Sequence, residues 1–257
     1  MDLSIIIVNY NSSGFLKNCL ESLLNSKDAV EKEIIVIDNA SSNGSINFVK
    51  SSFPSVKLIE NKKNYGFAKA NNIGAMAARS EFMLFLNPDT VIQKYALEKM
   101  VNFMEQNAGA GAVGPKLLYP DGSLQCSCRN FYNLRTILLR RTVLGKVFPH
   151  SRLLQYHLMS DWNHNQIQEV DWVLTACLMI RREVLEKTGY FDEKYKMYFE
   201  DVDLCYRVRK AGYKVFYYPD AVVVHHHQRE SAKKFSKKTI WHIQSAIRFF
   251  NKYGWKF

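Results

Sequence analysis

The sequence predicts an α/β protein with a doubly wound, mostly parallel sheet. Short apolar runs rich in β-branched residues alternate with segments of helical hydrophobic spacing along the N-terminal part of the chain, and polar turn residues bound each run. The chain has 257 residues, 47% of them hydrophobic, which suffices for one large core. Repeated β–α units imply right-handed crossovers, and therefore parallel strands.

Four strands and four helices are predicted before residue 107. The apolar runs predict strands at Leu3–Asn9, Glu33–Ile37, Val56–Glu60 and Phe82–Leu86. Helical spacing predicts helices at Phe15–Leu24, through Asn47 and Lys50, at Phe67–Arg79 and at Tyr95–Gln106.

Composition and short motifs restrict the class of protein. The net charge is +11 and the pI is about 9.3, so acidic partners are expected: phosphate groups, nucleic acid or an anionic membrane. The five cysteines are scattered and odd in number, as in a cytosolic protein with reduced thiols. No signal-like segment or membrane-spanning apolar run is present. No G-x-G-x-x-G follows a predicted strand and no P-loop motif is present, which argues against a dinucleotide dehydrogenase or a P-loop NTPase.

Polar side chains follow all four predicted strands. They are Asn9 and Asn11, Asp38 and Asn39, Asn64, and Asp89. Ligands of parallel α/β sheets lie beyond the carboxyl ends of the strands. One such residue is more often a turn former or helix cap, but four consecutive strand ends favour a ligand site.

A second polar cluster lies in the C-terminal part of the chain. Glu200, Asp201 and Asp203 open a helix-like run that ends near Gly212, and a β-rich run then ends on three histidines from His225. Carboxylates at a helix start, followed by histidine after a strand, are suited to general-base chemistry beside a metal ion.

Six ordered motifs resemble the GT-A-fold glycosyltransferases of family 2, most closely the bacterial rhamnosyltransferase-like branch. They are IIIVNYN, VIDNASSNGS, NKKNYGFAKANN, FLNPDT, VDWVLTACLMIRR and FDEKYKMYFEDVDLCYRVRKAGY. The resemblance covers roughly Leu3 to Ser231. Each motif alone is weak, whereas the ordered set is specific.

The resemblance implies a domain organisation. Residues 1–231 would form the GT-A domain, with a Rossmann-like nucleotide-sugar half at 1–110 and an acceptor half at 111–231. The acceptor half would contain a basic insertion at 126–165, and a basic amphipathic helix would follow at 232–257.

The resemblance also assigns the donor pocket. Asp38 would contact the nucleobase or ribose, because a carboxylate accepts hydrogen bonds from an imide N–H or a hydroxyl. Asn9 would line the same pocket, with a strand-terminating turn as an equal alternative. Asn64, Gly66 and Asn71 would border the donor; the alternative is that Asn64 and Gly66 only form a helix entry.

Asn87-Pro88-Asp89 takes the place of the family's D-x-D motif, with Asn at its first position. By resemblance, Asn87 and Asp89 contact the donor, and Asp89 with two diphosphate oxygens and water would hold Mg²⁺ or Mn²⁺. Asp89 alternatively caps a helix near Gln93. His225 would be a further metal or diphosphate ligand, since alternation along a strand favours it over its neighbour. Arg229 and Ser231 are expected to close over the diphosphate.

The acidic pair completes the implied active site. Asp201 would be the general base that deprotonates the acceptor hydroxyl, and Glu200 would orient the acceptor or tune the base. Asp171 and Trp172 would border the acceptor or the sugar, although a buried tryptophan is the commoner outcome. Asp203 is interpreted differently, as half of an i,i+4 ion pair with Arg207 worth about half a kcal/mol.

The implied function is inverting, metal-dependent transfer of a sugar from a nucleoside-diphosphate donor, with deoxythymidine diphosphate-rhamnose as a candidate. The acceptor would be a hydroxyl of a saccharide or lipid-linked saccharide in bacterial surface polysaccharide synthesis. The alternative is a non-catalytic sugar-nucleotide-binding or membrane-scaffold protein that retains the fold. It stays open because Asn87 departs from D-x-D and Thr175 stands where the family often has Gly.

Two basic segments predict a contact with acidic surfaces. No acidic residue occurs between Asp121 and Asp161 or after Glu230, and both stretches mix Lys and Arg with aromatic residues. This pattern fits a cytoplasmic protein lying peripherally on the anionic inner face of the bacterial cell membrane. The alternatives are that the apolar residues pack as core helices, or that the basic face binds nucleic acid. No nucleic-acid-binding module is recognisable, so a nucleic-acid partner is not expected.

Overall fold

A computed structural model describes residues 1–141, 151–226 and 237–255 of the chain. The strands are β1 Leu3–Asn9, β2 Lys32–Asp38, β3 Lys57–Glu60, β4 Phe82–Leu86, β5 Thr90–Ile92, β6 Ala110–Leu118, β7 Leu124–Gln125, β8 Cys128–Arg129, β9 Gln168–Val170, β10 Trp172–Val173, β11 Cys177–Arg181 and β12 Lys214–His225. The helices are α1 Ser13–Leu24, α2 Ser45–Ser52, α3 Phe67–Ala77, α4 Ala96–Gln106, α5 Leu134–Arg141, α6 Arg152–Leu158, α7 Arg182–Thr188, α8 Glu200–Lys210 and α9 Lys237–Tyr253. The predicted diphosphate contacts Arg229 and Ser231 lie outside the described residues.

One mixed sheet organises the molecule. Its main strand order is β3-β2-β1-β4-β11-β6-β12-β5. Strands β1 to β4, β6 and β12 run in one direction, whereas β11 and β5 are antiparallel to their neighbours. The predicted α/β fold with a mostly parallel sheet is therefore confirmed. The carboxyl ends of β1, β2, β4 and β12 consequently lie along one edge of the sheet.

Both faces of the sheet are buried, which explains the unbroken apolar runs in the sequence. Ile6 and Phe85 belong to a core on one face, and Ile5, Ile7 and Leu84 belong to a core on the other. Helix α3 lies close against β1 and β2. A β-carbon added at Gly74 would lie 2.5 Å from Ile6 Cγ2, so this helix position requires glycine or a shift of the strand.

The sequence predicted the first half of the fold well and the region after it less well. Strands β1 and β4 have the predicted bounds, and the other early elements differ by a few residues. Asp89 does not cap a helix, because strand β5 follows it and α4 begins only at Ala96. The DWVLTACLMIRR run divides into β10 and β11, and β11 enters the middle of the sheet in the antiparallel direction.

Helix α9 packs on the core, as one of the alternatives predicted. Phe249 and Phe250 are fully buried, so these aromatic residues are not free to anchor the protein on a membrane. The solvent-exposed side of the helix carries Ile240, Ile243 and Ile247, which are 41–45% exposed. No helix among the described residues is long and apolar enough to cross a bilayer.

Candidate active site

The carboxyl ends of β1 and β2 hold Asp38 in a fixed orientation. Asn9 and Asp38 are paired in the parallel register and are both 1% exposed. Asn9 Nδ2 donates to Asp38 Oδ1 at 2.7 Å and to Ser45 Oγ at 2.9 Å, and the Ser41 N–H donates to Asp38 Oδ2 at 2.8 Å. Asn9 therefore orients the predicted nucleotide-binding carboxylate, which is a more specific role than lining a pocket.

The loop before α3 is organised by Asn39, one of the polar residues that follow the predicted strands. Asn39 Nδ2 donates to Asn64 Oδ1 and to the Gly66 carbonyl oxygen, each at 3.2 Å. Gly66 has φ 85°, a conformation that favours glycine. Asn71 is 2% exposed and donates to the Phe67 carbonyl at 3.0 Å, so in this structure it stabilises the first turn of α3.

Asp89 and His225 meet at the rim of the sheet. His225 Nε2 lies 3.4 Å from Asp89 Oδ1, and the His226 N–H donates to the Asp89 carbonyl at 2.8 Å. His225 Nδ1 lies 2.7 Å from Gln125 Oε1, and because that oxygen can only accept, Nδ1 carries a proton. Nε2 therefore faces the carboxylate, and the second ring nitrogen has the outer partner typical of metal-binding histidines.

Asp89 and His225 could supply two of the ligands of a divalent cation, which is fewer than such an ion needs. Within the described parts of the chain, no three His, Cys, Asp or Glu side chains converge on a possible metal site. A hard cation prefers six or more ligands, so Asp89 and His225 leave most positions for phosphate oxygens and water. The chemistry of the pair is compatible with an ion held jointly by protein and diphosphate.

A short turn between β10 and β11 links the metal candidates to the acidic pair. The Thr175 backbone N–H lies near enough to the Asp201 carboxylate to oppose the rise of its pKa, and the Asn87 N–H donates to the Ala176 carbonyl at 3.0 Å. Asp89 follows Asn87 by two residues. The structure thus brings Asp201 and Asp89 to the same rim, although 112 positions separate them in the sequence.

Glu200 and Asp201 have different electrostatic environments. Burial, followed by the charge of Asp201, raises the pKa of Glu200 to about 8. Burial also raises the pKa of Asp201, to about 6, while the Val202 N–H and the positive charge of Arg129 oppose that rise. The larger rise at Glu200 favours the state in which Glu200 holds a proton and Asp201 is ionised. Two neighbouring carboxyl groups with separated pKa values can serve as a base and a hydrogen-bond donor.

Trp172 is buried, which was the commoner outcome expected from the sequence, and so it does not border an open acceptor pocket. It is 2% exposed, its indole N–H donates to the Asn130 carbonyl at 3.1 Å, and the Arg129 guanidinium lies 5.4 Å from its ring centroid. Asp171 accepts the Phe131 N–H at 2.7 Å and so anchors the same loop. Trp172 and Asp171 therefore stabilise the loop at residues 129–131 by packing and hydrogen bonding.

Asp203 forms a buried hub that local sequence spacing does not reveal. The predicted contact exists, with Arg207 Nε 2.8 Å from Asp203 Oδ2, but Asp203 is 0% exposed. Its Oδ1 accepts from Lys252 Nζ at 2.7 Å, from the Tyr253 hydroxyl at 2.9 Å and from the Tyr195 hydroxyl at 3.2 Å. Asp203 is therefore a buried carboxylate with four hydrogen-bond donors rather than one half of an exposed ion pair. Two of the donors lie on α9, which only the tertiary fold brings close.

Comparison with known proteins identifies the family. Residues 4–189 match the family described as Glycosyl transferase family 2. The chain belongs to this family. This glycosyltransferase is 28% identical over 260 residues to N-acetylglucosaminyl-diphospho-decaprenol L-rhamnosyltransferase of Mycobacterium tuberculosis, a match covering 96% of this chain and 83% of the relative. It is 27% identical over 255 residues to Escherichia coli Rhamnosyltransferase WbbL, covering 95% and 91% of the two chains.

Solved structures share the fold of this glycosyltransferase. GalNAc-T7 with UDP, GalNAc and Mn²⁺ aligns with a TM-score of 0.70 at 16% identity, over 98% of this chain and 49% of that one. S. aureus TarS in complex with UDP-GlcNAc aligns with a TM-score of 0.63 at 17% identity, over 98% and 67% of the two chains. The GT-A fold implied by the sequence motifs is thereby confirmed.

Proposed function

We propose that this glycosyltransferase catalyses inverting transfer of a sugar from a nucleoside-diphosphate donor to a hydroxyl of a saccharide or lipid-linked saccharide. The observation that carries the proposal is the convergence of the Asp201 base candidate with the Asp89–His225 pair through one short turn. The names of the two relatives favour rhamnose as the sugar, and the mycobacterial name favours a lipid diphosphate-linked acceptor in cell-envelope synthesis. Deoxythymidine diphosphate-rhamnose is the candidate donor.

In the proposed reaction Asp201 takes the proton of the acceptor hydroxyl while that oxygen attacks the anomeric carbon. The bond from the anomeric carbon to the diphosphate breaks on the opposite face, so the configuration inverts and the nucleoside diphosphate leaves. Glu200, protonated at neutral pH, donates a hydrogen bond that orients the acceptor. Asp38 binds the base or ribose, and Asn64 and Gly66 border the donor.

The proposal includes a divalent cation held by Asp89 and His225 together with the donor. Mg²⁺ or Mn²⁺ would supply positive charge that stabilises the departing diphosphate. The His225–Gln125 hydrogen bond supports this role, because it fixes the ring with Nε2 toward Asp89.

The membrane contact is also a proposal, and α9 gives it a specific surface. Ile240, Ile243 and Ile247 form an exposed apolar stripe on a chain segment that has no acidic residue after Glu230. An apolar stripe in a basic segment matches an anionic lipid surface, where it would place the rim beside a lipid-linked acceptor.

The first prediction concerns the base. Asp201→Asn keeps the shape of the side chain but cannot accept the hydroxyl proton, so we expect turnover to fall about 100- to 10,000-fold with nucleotide binding retained. Donor consumption and transfer measure the first quantity, and isothermal titration with nucleoside diphosphate measures the second. Glu105→Gln, an exposed change on α4, is the control. If Asp201→Asn turns over at the rate of the wild-type protein, Asp201 is not the base. If the wild-type protein binds nucleotide but shows no turnover, the non-catalytic alternative is favoured.

A pH profile tests the same group without mutation. Because the pKa of Asp201 is raised to about 6, the active, ionised form is lost as pH falls through that value. We expect kcat/KM to decline on the acidic side with a midpoint near pH 6, rather than near the ordinary value of about 4. A profile that stays flat to pH 4.5 in a protein that remains folded would contradict the assignment.

The cation site is tested by binding. We expect Asp89→Asn and His225→Ala each to weaken Mn²⁺ affinity about tenfold or more in the presence of nucleoside diphosphate, because each removes a ligand from a set with few protein donors. Electron paramagnetic resonance of free Mn²⁺ provides the measurement, and the exposed change Asp121→Asn is the control. Equal affinity in all four proteins would place the ion elsewhere.

The membrane surface is tested by co-sedimentation with vesicles of phosphatidylglycerol and phosphatidylcholine. We expect Ile243→Glu combined with Ile247→Glu to reduce the bound fraction at least tenfold, since it places two charges in the lipid contact. Met76→Glu, at an apolar position that is 68% exposed on α3, should leave binding unchanged. Binding that is independent of anionic lipid, or equal in the two variants, would refute this surface.

A further inference from the structure

We propose that helix α9 is a positioning element of the active site, which fixes the orientation of Glu200 and Asp201 through the loop before α8 and the first turn of α8. The inference rests on the proposed function only for the assignment of Asp201 as the base. Its structural basis is independent, and lies in the contacts that one face of α9 makes.

The loop before the acidic pair has an unusual backbone. Tyr198 has φ 64° and Phe199 has φ 68°, so two consecutive residues other than glycine are in the left-handed region immediately before Glu200. Such residues persist only where their surroundings hold them, and they concentrate at functional sites. The direction in which α8 begins therefore depends on what packs against this loop.

Helix α9 supplies that packing. Ser245 Oγ donates to the Met197 carbonyl at 3.0 Å, and Ser245 is 3% exposed. The His242 ring centroid lies 4.8 Å from that of Tyr198 and 5.5 Å from that of Phe199, and Phe249 lies 5.5 Å from Phe199. Positions 242, 245 and 249 follow helical spacing, so a single face of α9 covers the loop.

A second set of contacts fixes α8 itself. Lys252 Nζ bonds Asp203 Oδ1 at 2.7 Å and Asp192 Oδ2 at 3.2 Å, and the Tyr253 hydroxyl bonds Asp203 at 2.9 Å. Arg248 adds a 2.7 Å bond to Asp192. Asp203 follows Asp201 by two residues in the same helical turn. A rotation of α8 that moves Asp203 therefore also moves the Asp201 carboxylate.

The contacts of Asp201 make such a displacement consequential. Its Oδ1 accepts the Val202 N–H at 2.9 Å, and the positive charge of Arg129 and the nearby Thr175 N–H also favour the ionised carboxylate. A misplacement of about 1 Å in a catalytic group can cost about 100-fold in rate. Loss of the α9 contacts is therefore expected to lower kcat and to move the acidic limb of the pH profile upward, without weakening nucleotide binding at the ends of β1 and β2.

Ser245→Thr and Ser245→Val provide a matched test. The two side chains have nearly the same shape, so any crowding is shared, and only threonine retains the hydroxyl that bonds Met197. We expect kcat of Ser245→Val to be at least tenfold below that of Ser245→Thr, with a higher midpoint of the acidic limb and an unchanged Kd for nucleoside diphosphate. Equal kcat and equal pH profiles in the two variants would overturn the inference.

Lys252→Met and Lys252→Arg repeat the test at the second anchor, in case both Ser245 variants fail to fold. We expect Lys252→Arg to retain most of the wild-type kcat, and Lys252→Met to show the same loss and pH shift as Ser245→Val. If Lys252→Met matches Lys252→Arg in kcat and pH profile, α9 does not position the acidic pair.

Asp201→Asn, measured in parallel, separates the positioning role from the assignment of the base. If Asp201→Asn is inactive and the Ser245 and Lys252 variants keep their activity, only the positioning role is overturned. If Asp201→Asn is active, the assignment of the base is overturned.

Discussion

The parallel register of the central sheet is the constraint on which the site depends. Hydrogen bonds pair Asn9 with Asp38 at the ends of β1 and β2, and β12 runs in the same direction as β4, so His225 reaches the edge where Asp89 lies. Together these contacts place the proposed nucleotide-binding carboxylate, the proposed cation-binding pair and the base candidate on one side of the molecule, because strand ends in a parallel sheet lie together.

The second organising feature is the separation of proton affinities within the acidic pair. Adjacent carboxyl groups in a buried site cannot both ionise readily, and here Asp201 receives an N–H bond and a nearby positive charge that favour its ionised form. Glu200 Oε2 is buried and has no hydrogen-bond partner among the described residues. The fold thereby assigns different protonation states to two similar side chains, and the contacts of α9 connect that assignment to the C-terminal helix.

Much of the fold was predictable, because apolar periodicity and strand-end polarity are local properties of the sequence. The bounds of β1 and β4 followed from the apolar runs, and the family resemblance indicated that Asp89 and His225 lie at one site. The antiparallel insertion of β11 and the hub at Asp203 did not follow from the sequence, since each depends on partners 40 or more residues away. Local spacing identified Arg207 as a partner of Asp203, but it gave no sign of Lys252 or Tyr253.

The most direct test of the account is a crystal structure of the protein with nucleoside diphosphate and Mn²⁺, with anomalous scattering used to locate the ion. If the proposed site is right, one anomalous peak lies about 2.0–2.3 Å from the side chains of Asp89 and His225 and from a diphosphate oxygen. The base or ribose then lies at Asp38, and Asp201 lies across the sugar position from the diphosphate. A nucleotide bound away from Asp38, or an ion that contacts neither Asp89 nor His225, would contradict it.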